Sequence, residues 1–196
     1  MADMTAFERE CEAFFRPLWP GEDKILVFGE GNSDSPDIML IGEAPGEQET
    51  IKRRPFVGKA GKNLDEFLRL MGIEREAIYV GNVVKVRPTS VGSTGRIRNR
   101  APSREEIALF LPFLMKEIKL VSPKAVVTLG NVPLKALMGP KASVGDMHGK
   151  WHLTGDGRKL FALYHPAAII YRRELRQVYE RDVLLLRDSL TFETSK

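Results

Sequence analysis

Three polar side chains in this sequence adjoin apolar runs, where burial would strengthen their chemistry. Glu43 follows one such run and lies among Gly42, Pro45 and Gly46, so a tight loop would present its carboxylate. Asn82 interrupts a second apolar run, and its amide offers a donor and an acceptor side by side, as a nucleobase edge requires. His165 follows a third run. A neutral imidazole there can donate a hydrogen bond to an anion that forms in a dry site.

Each of these residues also has an ordinary structural interpretation. Glu43 could be a solvated acid in a βα turn, because acidic residues are common in such loops. Asn82 could cap the end of a strand, and His165 could be a structural histidine. Spacing alone leaves both interpretations open, so the elements that position these residues matter.

Strand-like and helix-like patterns alternate along the chain. Short apolar runs predict strands at 37–41, 77–85, 124–129 and 159–164, and 3.6-residue periodicity predicts helices at 61–71, 104–118, 131–139 and 174–190. This alternation implies parallel pairing with right-handed crossovers, and hence an α/β fold: a three-layer α/β/α sandwich with a central, mostly parallel four-stranded sheet. Ligands bind at the carboxyl ends of such strands, which is where the three polar residues are expected.

Local signals refine several helix ends. Gly72 suits a C-cap, and Ser103 with Glu106 forms a capping box. Pro112 predicts a kink or break in the middle of its helix. Asn131 is a candidate N-cap for the short helix that ends at Gly139.

Positive charge is concentrated in two segments without acids. The net charge is +4, and the segments 52–62 and 85–104 hold many of the cations. Their glycines and prolines predict that 85–104 is a long mobile loop. A polyphosphate backbone would relieve the repulsion among these cations, which points to a nucleic acid as the partner. The candidate DNA-binding cations are Lys59, Lys85, Arg96, Arg98, Arg100 and Arg172.

Several classes of protein are excluded by composition. Because Cys11 is the single cysteine, a disulfide framework, a cysteine-based zinc site and an iron–sulfur cluster with four cysteine ligands are excluded. The three histidines leave little room for a metal site built on histidine. We therefore expect no metal and no cofactor. Residues 58–62 (GKAGK) are too short for a Walker A loop. No apolar run reaches the roughly 18 residues of a membrane span, and the N-terminus lacks a signal-peptide pattern, so we expect a cytoplasmic protein with no membrane partner.

Six segments in order resemble the uracil-DNA glycosylase superfamily, and family 4 in particular. They are 42–49 (GEAPGEQE), 54–61 (RPFVGKAG), 81–85 (GNVVK), 99–102 (NRAP), 148–151 (HGKW) and 165–166 (HP). The resemblance implies an enzyme of DNA repair that flips uracil out of DNA, hydrolyses its N-glycosidic bond and leaves an abasic site.

The resemblance also implies a role for each matching residue. Glu43 would position water and stabilise the oxocarbenium-like sugar, and His165 would donate to uracil O2 as the base leaves. In the base pocket, Ala44 would occupy the position where sister families carry a catalytic Asp or Asn. Glu49 would exclude a methyl group at C5 of the base. Phe56 would stack on uracil, and Asn82 would pair with its N3 and O4. Ile169 and Ile170 match the apolar wedge that fills the gap left by the flipped base.

The chain departs from the family-4 pattern in three respects. It lacks the four cluster cysteines: Val86 replaces one, and the region 15–18 lacks the expected pair, so Phe15 and Trp19 would supply the missing scaffolding. Thr50 and Ala167 replace an acid and a serine. The loop before Asn99 is long and resembles that of the uracil-crosslinking relatives. Because Asn99 stands roughly where those relatives carry their covalent histidine, we predict hydrolysis without a covalent adduct.

Two alternatives remain open at the level of sequence. The pocket could take another deaminated base, such as hypoxanthine or xanthine, or the protein could be a catalytically degenerate nucleic-acid-binding protein of the same fold. We predict a monomer built from one domain over residues 1–196, with 1–23 as a candidate peripheral helix.

Overall fold

The structure, a computed structural model, describes residues 3–22 and 24–193, with side chains described to residue 190. Residues 1, 2, 23 and 194–196 of the predicted domain lie outside the described residues. The strands are β1 (Glu30–Gly31), β2 (Ile38–Gly42), β3 (Tyr79–Asn82), β4 (Thr89–Val91), β5 (Ile97–Asn99), β6 (Ala125–Leu129), β7 (Trp151–Leu153) and β8 (Lys159–Leu163). The helices are α1 (Met4–Phe15), α2 (Glu47–Lys52), α3 (Lys59–Met71), α4 (Arg104–Val121), α5 (Asn131–Met138), α6 (Val144–Met147), α7 (Ala168–Tyr171) and α8 (Leu175–Glu193).

The central sheet has the order β1-β3-β2-β6-β8-β7. Its inner strands β3, β2, β6 and β8 are parallel, as the sequence predicts. The prediction of four strands is wrong in number, because β1 and β7 add antiparallel edges. Both edge strands are short and lack a buried apolar run, which is the signal that revealed the inner strands.

Helices cover both faces of the sheet, since successive side chains of a strand point to opposite sides. Ile38 and Leu40 pack in a core with residues of α3 and α8, whereas Met39 and Ile41 pack in a second core with residues of α1 and α4. The three-layer prediction is confirmed. Helix α1 lies within the predicted N-terminal helical stretch 1–23, and it buries Phe7, Cys11 and Phe15 in the second core.

The predictions for helix caps and for the kink or break at Pro112 are confirmed only in part. The C-cap at Gly72 and the capping box of Ser103 are confirmed. Helix α4 continues from Arg104 to Val121 with Pro112 inside it, so it does not break there. Gly130, not Asn131, is the N-cap of α5, and the Asn131 side chain instead accepts a hydrogen bond from the Val144 N–H at 2.8 Å.

The basic segment 85–104, which we predicted to be a long mobile loop, contains regular secondary structure. Strands β4 and β5 pair antiparallel as a hairpin, in which Thr89 faces Asn99 and Val91 faces Ile97. The two strands are short and exposed and contain few β-branched residues, which predict strands only weakly. The glycines and prolines around them predict a loop more strongly.

Candidate active site

A cavity of about 260 Å³ lies where the loops after β2, β3 and β8 meet. This is the carboxyl edge of the parallel strands, where a sheet of this kind binds its ligands. The residues that line it come from the segments after the parallel strands β2, β3 and β8. They are Ala44, Gly46, Glu49, Phe56, Gly58, Lys59, Ala60, Asn82, Asn99, His165, Ala167, Ile170 and Tyr171.

The floor of the cavity depends on a close approach to Gly42. A Cβ atom on Gly42 would lie 2.4 Å from the Phe56 ring and 2.5 Å from Asn82 Oδ1, distances that no side chain tolerates. Phe56 itself has a φ of +52°, and its ring is inclined by 28° to that of His165, with 6.0 Å between the ring centroids. The backbone of Phe56 is fixed by Gly61, where a Cβ would lie 1.9 Å from the Phe56 carbonyl oxygen. The aromatic ring is therefore held in one place beside the imidazole.

Asn82 ends β3 with a side chain that is 2% exposed. Within the described part of the chain, no hydrogen bond reaches its amide group. Neither amide atom is among the fully enclosed polar atoms that lack a partner, so both are open to the cavity, where a ligand's donor and acceptor can pair with them. The cavity is the space in which that ligand would lie.

Lys85 is fully buried, and the prediction that it binds DNA is wrong. Its Nζ atom lies 2.5 Å from Glu117 Oε2 and donates a hydrogen bond of 2.7 Å to the carbonyl oxygen of Asn82. The other Glu117 oxygen accepts a hydrogen bond from the Tyr79 hydroxyl at 3.0 Å. Burial, reinforced by the Glu117 charge, raises the pKa of Tyr79 well above its usual value. Lys85 thus supports the backbone beneath Asn82 instead of reaching a phosphate.

His165 is held as a neutral ring with a defined tautomer. Its Nδ1 atom accepts a hydrogen bond from the Ala167 N–H at 3.1 Å, so the ring's own proton lies on Nε2. Burial lowers the pKa of His165 to about 4, against a smaller opposing effect of the Glu49 carboxylate. At neutral pH the imidazole is therefore an uncharged N–H donor to a ligand in the cavity.

Glu49 joins the two loops that precede α2 and α3. Its Oε1 atom accepts hydrogen bonds from Val57 N–H at 3.0 Å and Gly58 N–H at 2.7 Å, and Oε2 accepts one from Gly46 N–H at 3.2 Å. The carboxylate lines the cavity, but these backbone donors fix its position. Sequence reasoning assigned Glu49 to the base alone and missed this bridging role.

Glu43 is half-buried and lies beside the cavity instead of lining it, whereas the adjacent Ala44 does line it. Burial raises the pKa of the Glu43 carboxyl above its usual value. The main chain at this point is fixed by the Val84 N–H, which donates to the Glu43 carbonyl oxygen at 3.1 Å. This links the loop after β2 to the loop after β3.

The predicted apolar wedge divides into two unlike residues. Ile169 is 8% exposed and packs in the core with α8, so its prediction as part of the wedge is wrong. Ile170 is 40% exposed and lines the cavity. The next residue, Tyr171, is 85% exposed and also lines the cavity. Sequence reasoning missed Tyr171, although its position directly after the two isoleucines is a signal for it.

The remaining candidate cations differ in their surroundings. Arg96, Arg98 and Lys59 are exposed, and no ion pair to any of them occurs among the residues that the structure describes. Arg100 is not free, because its guanidinium holds both carboxylate oxygens of Glu106 at 2.6 and 2.7 Å. Arg172 is exposed and lies 3.1 Å from Glu174.

Asn99 is a cavity residue that sequence reasoning did not place in the site. Its Oδ1 atom accepts a hydrogen bond from Arg87 Nε at 2.7 Å, and Arg87 in turn lies 3.2 Å from Glu47. Because an arginine can only donate, the Asn99 amide must turn its NH₂ group away from Arg87. The motif NRAP contained the residue, but its orientation depends on the hairpin.

Apolar packing occupies the region of the missing cysteines. Phe15 stacks on Phe110 with 4.2 Å between ring centroids and on Trp19 with 5.8 Å, and Val86 belongs to the same core. With Cys11 as its single cysteine, the chain cannot supply four thiolate ligands, so these residues do not fit an iron–sulfur cluster. Among the described residues, no group of His, Cys, Asp and Glu could hold a metal ion either.

An α/β/α sandwich with an imidazole, an amide and an aromatic ring around one base-sized cavity is typical of a DNA glycosylase. The family model "Uracil DNA glycosylase superfamily" matches residues 28–185. A type-4 uracil-DNA glycosylase of Saccharolobus solfataricus is 37% identical over 96% of this chain and 86% of its own length. The type-4 enzyme of Thermotoga maritima is 38% identical over 89% of this chain and 86% of its own length.

A solved structure agrees with the fold. The crystal structure of Pedobacter heparinus SMUG2 matches 83% of this chain and 77% of its own, with a TM-score of 0.51 and 13% identity. The chain therefore belongs to the uracil-DNA glycosylase superfamily, and its resemblance to family 4 is confirmed.

Proposed function

We propose that this protein is a monofunctional DNA glycosylase that hydrolyses the N-glycosidic bond of a flipped-out uracil in DNA and leaves an abasic site. The observation that carries the proposal is the pair formed by Asn82 and His165 in one small cavity. One side chain is a buried amide without a partner, and the other is a neutral N–H donor. The type-4 relatives support the same activity.

The leaving base gains negative charge as the bond from its N1 to the sugar C1′ breaks, because the bonding electron pair stays with uracil. A neutral imidazole that donates from Nε2 stabilises this anion without having to give up a proton. Burial keeps His165 in that form, since its pKa is lowered to about 4. His165 therefore acts on the leaving group.

The sugar gains positive charge in the same step. The Glu43 carboxylate, beside the cavity, stabilises this oxocarbenium-like sugar and orients a water molecule toward C1′. The water adds its hydroxyl group to C1′ and releases a proton, which balances the uracil anion. We assign Asn99 to this water as well, because its NH₂ group is turned away from Arg87 and the side chain lines the cavity.

Base selection follows from the remaining cavity residues. The Asn82 amide can accept from N3–H and donate to O4, and a site built for this edge rejects bases that present another. Phe56 offers a ring face for stacking. Glu49, fixed by three backbone N–H groups, forms a rigid wall near C5 that would reject the methyl group of thymine.

The protein must also extract the base from the DNA. Lys59 lines the cavity, and Arg96 and Arg98 are exposed on the hairpin that carries the cavity residue Asn99; these cations would bind phosphates. Ile170, which is exposed and lines the cavity, would fill the gap that the flipped base leaves in the base stack. Arg172 would bind a phosphate of the same DNA strand. No step of this reaction requires a metal or a cofactor.

Cleavage of oligonucleotides tests the proposal. We expect alkali to break strands that contain one uracil after incubation with the protein, and we expect this cleavage to disappear in His165→Leu and Asn82→Ala. Oligonucleotides with hypoxanthine or xanthine in place of uracil test the other bases. Binding without cleavage of any base would contradict the proposal and favour a degenerate nucleic-acid-binding protein.

Two further expectations accompany this function. We propose that the protein acts as a monomer, and sedimentation of the free protein tests this. Among the described residues, no helix is long and apolar enough to cross a membrane. The cytoplasmic location predicted from sequence stays a prediction.

A further inference from the structure

The β4–β5 hairpin has two unlike faces. Val91 pairs with Ile97, Ser90 with Arg98 and Thr89 with Asn99. Because side chains alternate along a strand, Val91 and Ile97 share a face with Asn99, and Arg98 points to the other side. The space at Gly92 agrees with this, since a Cβ there would lie 3.5 Å from Arg98 Nε.

The apolar face has no partner in the protein. Val91 is 72% exposed and Ile97 is 63% exposed, although both are β-branched side chains that normally pack. Asn99 lies on the same face and lines the cavity, so the face extends outward from the cavity mouth. The hairpin follows β3, whereas Ile170 and Tyr171 follow β8, and β2 and β6 separate these two strands in the sheet. Ile170 and Tyr171 are also exposed. The mouth is therefore flanked by two exposed apolar groups.

The charges on the hairpin indicate which kind of partner its apolar face would bind. Arg96 and Arg98 are exposed, and residues 85–104 contain no acid. An exposed apolar pair beside such cations suits a partner that is both polyanionic and rich in flat apolar surfaces. A DNA strand has both properties, because a flipped nucleotide leaves the faces of its neighbouring bases unstacked.

We propose that Val91 and Ile97 pack against the base next to the flipped nucleotide, on the side of the cavity opposite Ile170 and Tyr171. The proposal rests on the proposed function, because it requires the flipped base to occupy the cavity. The hairpin then contributes in two ways: its cationic face binds phosphates, and its apolar face stabilises the unstacked neighbour. Contacts of the second kind release no counterions, so they do not depend on salt.

The test compares the double variant Val91→Ser/Ile97→Ser with the unchanged protein. The probe is an oligonucleotide with 2′-fluoro-deoxyuridine, whose sugar resists hydrolysis, and 2-aminopurine beside it, whose fluorescence rises on unstacking. We expect binding about tenfold weaker and a smaller rise in fluorescence, with an unchanged slope of log Kd against log salt. Leu153→Ser is the matched control. Leu153 is also exposed, at 66%, but it pairs with Lys159 at the start of β8, whereas the cavity lies beyond the end of that strand. This control should bind like the unchanged protein.

Other outcomes would overturn the proposal. Unchanged binding and fluorescence in the double variant would remove the apolar face from the interface. A dimer in sedimentation experiments that the double variant abolishes would show that a second copy of the chain covers this face. Inhibition by free uracil reports on the cavity itself. If the unchanged protein is not inhibited by free uracil and cleaves no strand that contains uracil, the proposed function fails, whereas failure at the hairpin alone leaves the proposed function intact.

Discussion

The Nδ1 atom of His165 accepts a hydrogen bond of 3.1 Å from the backbone N–H of Ala167. This contact fixes the imidazole tautomer, because the ring proton must then lie on Nε2. Since burial also lowers the pKa of His165 to about 4, the ring stays neutral over the range in which the protein would work. The histidine is thus arranged to donate a hydrogen bond and not to carry a charge.

Loss of this donor should slow bond cleavage more than DNA binding. For His165→Leu, we expect a fall of about 10²- to 10³-fold in the single-turnover rate, as for the removal of one donor to a developing anion. The Kd for DNA with 2′-fluoro-deoxyuridine should change little. A parallel loss of affinity would contradict this, because it would place His165 in ground-state binding.

The acid limb of the pH profile should belong to Glu43. Burial raises the pKa of Glu43, and its charged form is the one that stabilises the sugar, so kcat/KM should fall as the pH drops through that raised pKa. His165 becomes protonated only near pH 4, which would add a second loss at lower pH. In Glu43→Gln we expect a low rate without the first limb. A limb that persists in this variant would assign the titration to another group.

Asn82→Ala should abolish activity while the fold survives. The side-chain amide has no hydrogen bond to the described residues, so its removal breaks no contact that stabilises the protein. We expect the free energy of unfolding in urea to change by less than about 1 kcal/mol. Unfolding of the variant would show that Asn82 is a structural residue after all.

The exposed hairpin cations should determine the salt dependence of binding. In Arg96→Ala/Arg98→Ala we expect the slope of log K against log salt to fall by about two, since each phosphate contact contributes about one. Arg100→Ala is the control, because its guanidinium is held by Glu106. An equal slope in the unchanged protein and the double variant would exclude the cationic face of the hairpin from the interface.

Lys85 should matter for stability and not for phosphate binding. Lys85→Met leaves Glu117 buried without its cation, and we expect a loss of about 3–5 kcal/mol in the free energy of unfolding. The paired variant Lys85→Met/Glu117→Gln should recover part of that loss, because it removes the buried charge and keeps an oxygen that can accept from the Tyr79 hydroxyl. Its salt slope in DNA binding should equal that of the unchanged protein, and a lower slope would restore Lys85 as a phosphate contact.

The sequence by itself determined the layered fold and the place of the cavity. Alternating periodicities gave the four inner strands, and chain order placed Glu43, Asn82 and His165 at their carboxyl ends. This works because apolar periodicity is a local property, and parallel strands bring their ends to one edge whatever packs on them. The short edge strands and the hairpin lack that periodicity, so they could not be predicted.

Only the tertiary structure decided what each polar or apolar side chain near the cavity does. Lys85 looks like its exposed neighbours in a basic segment until Glu117, from α4, packs on it. Ile169 and Ile170 are identical in type, yet one enters the core and the other the cavity mouth. The reason is physical: the free energy of a charge, an amide or an apolar group depends on its surroundings, and residues distant in the chain supply those surroundings.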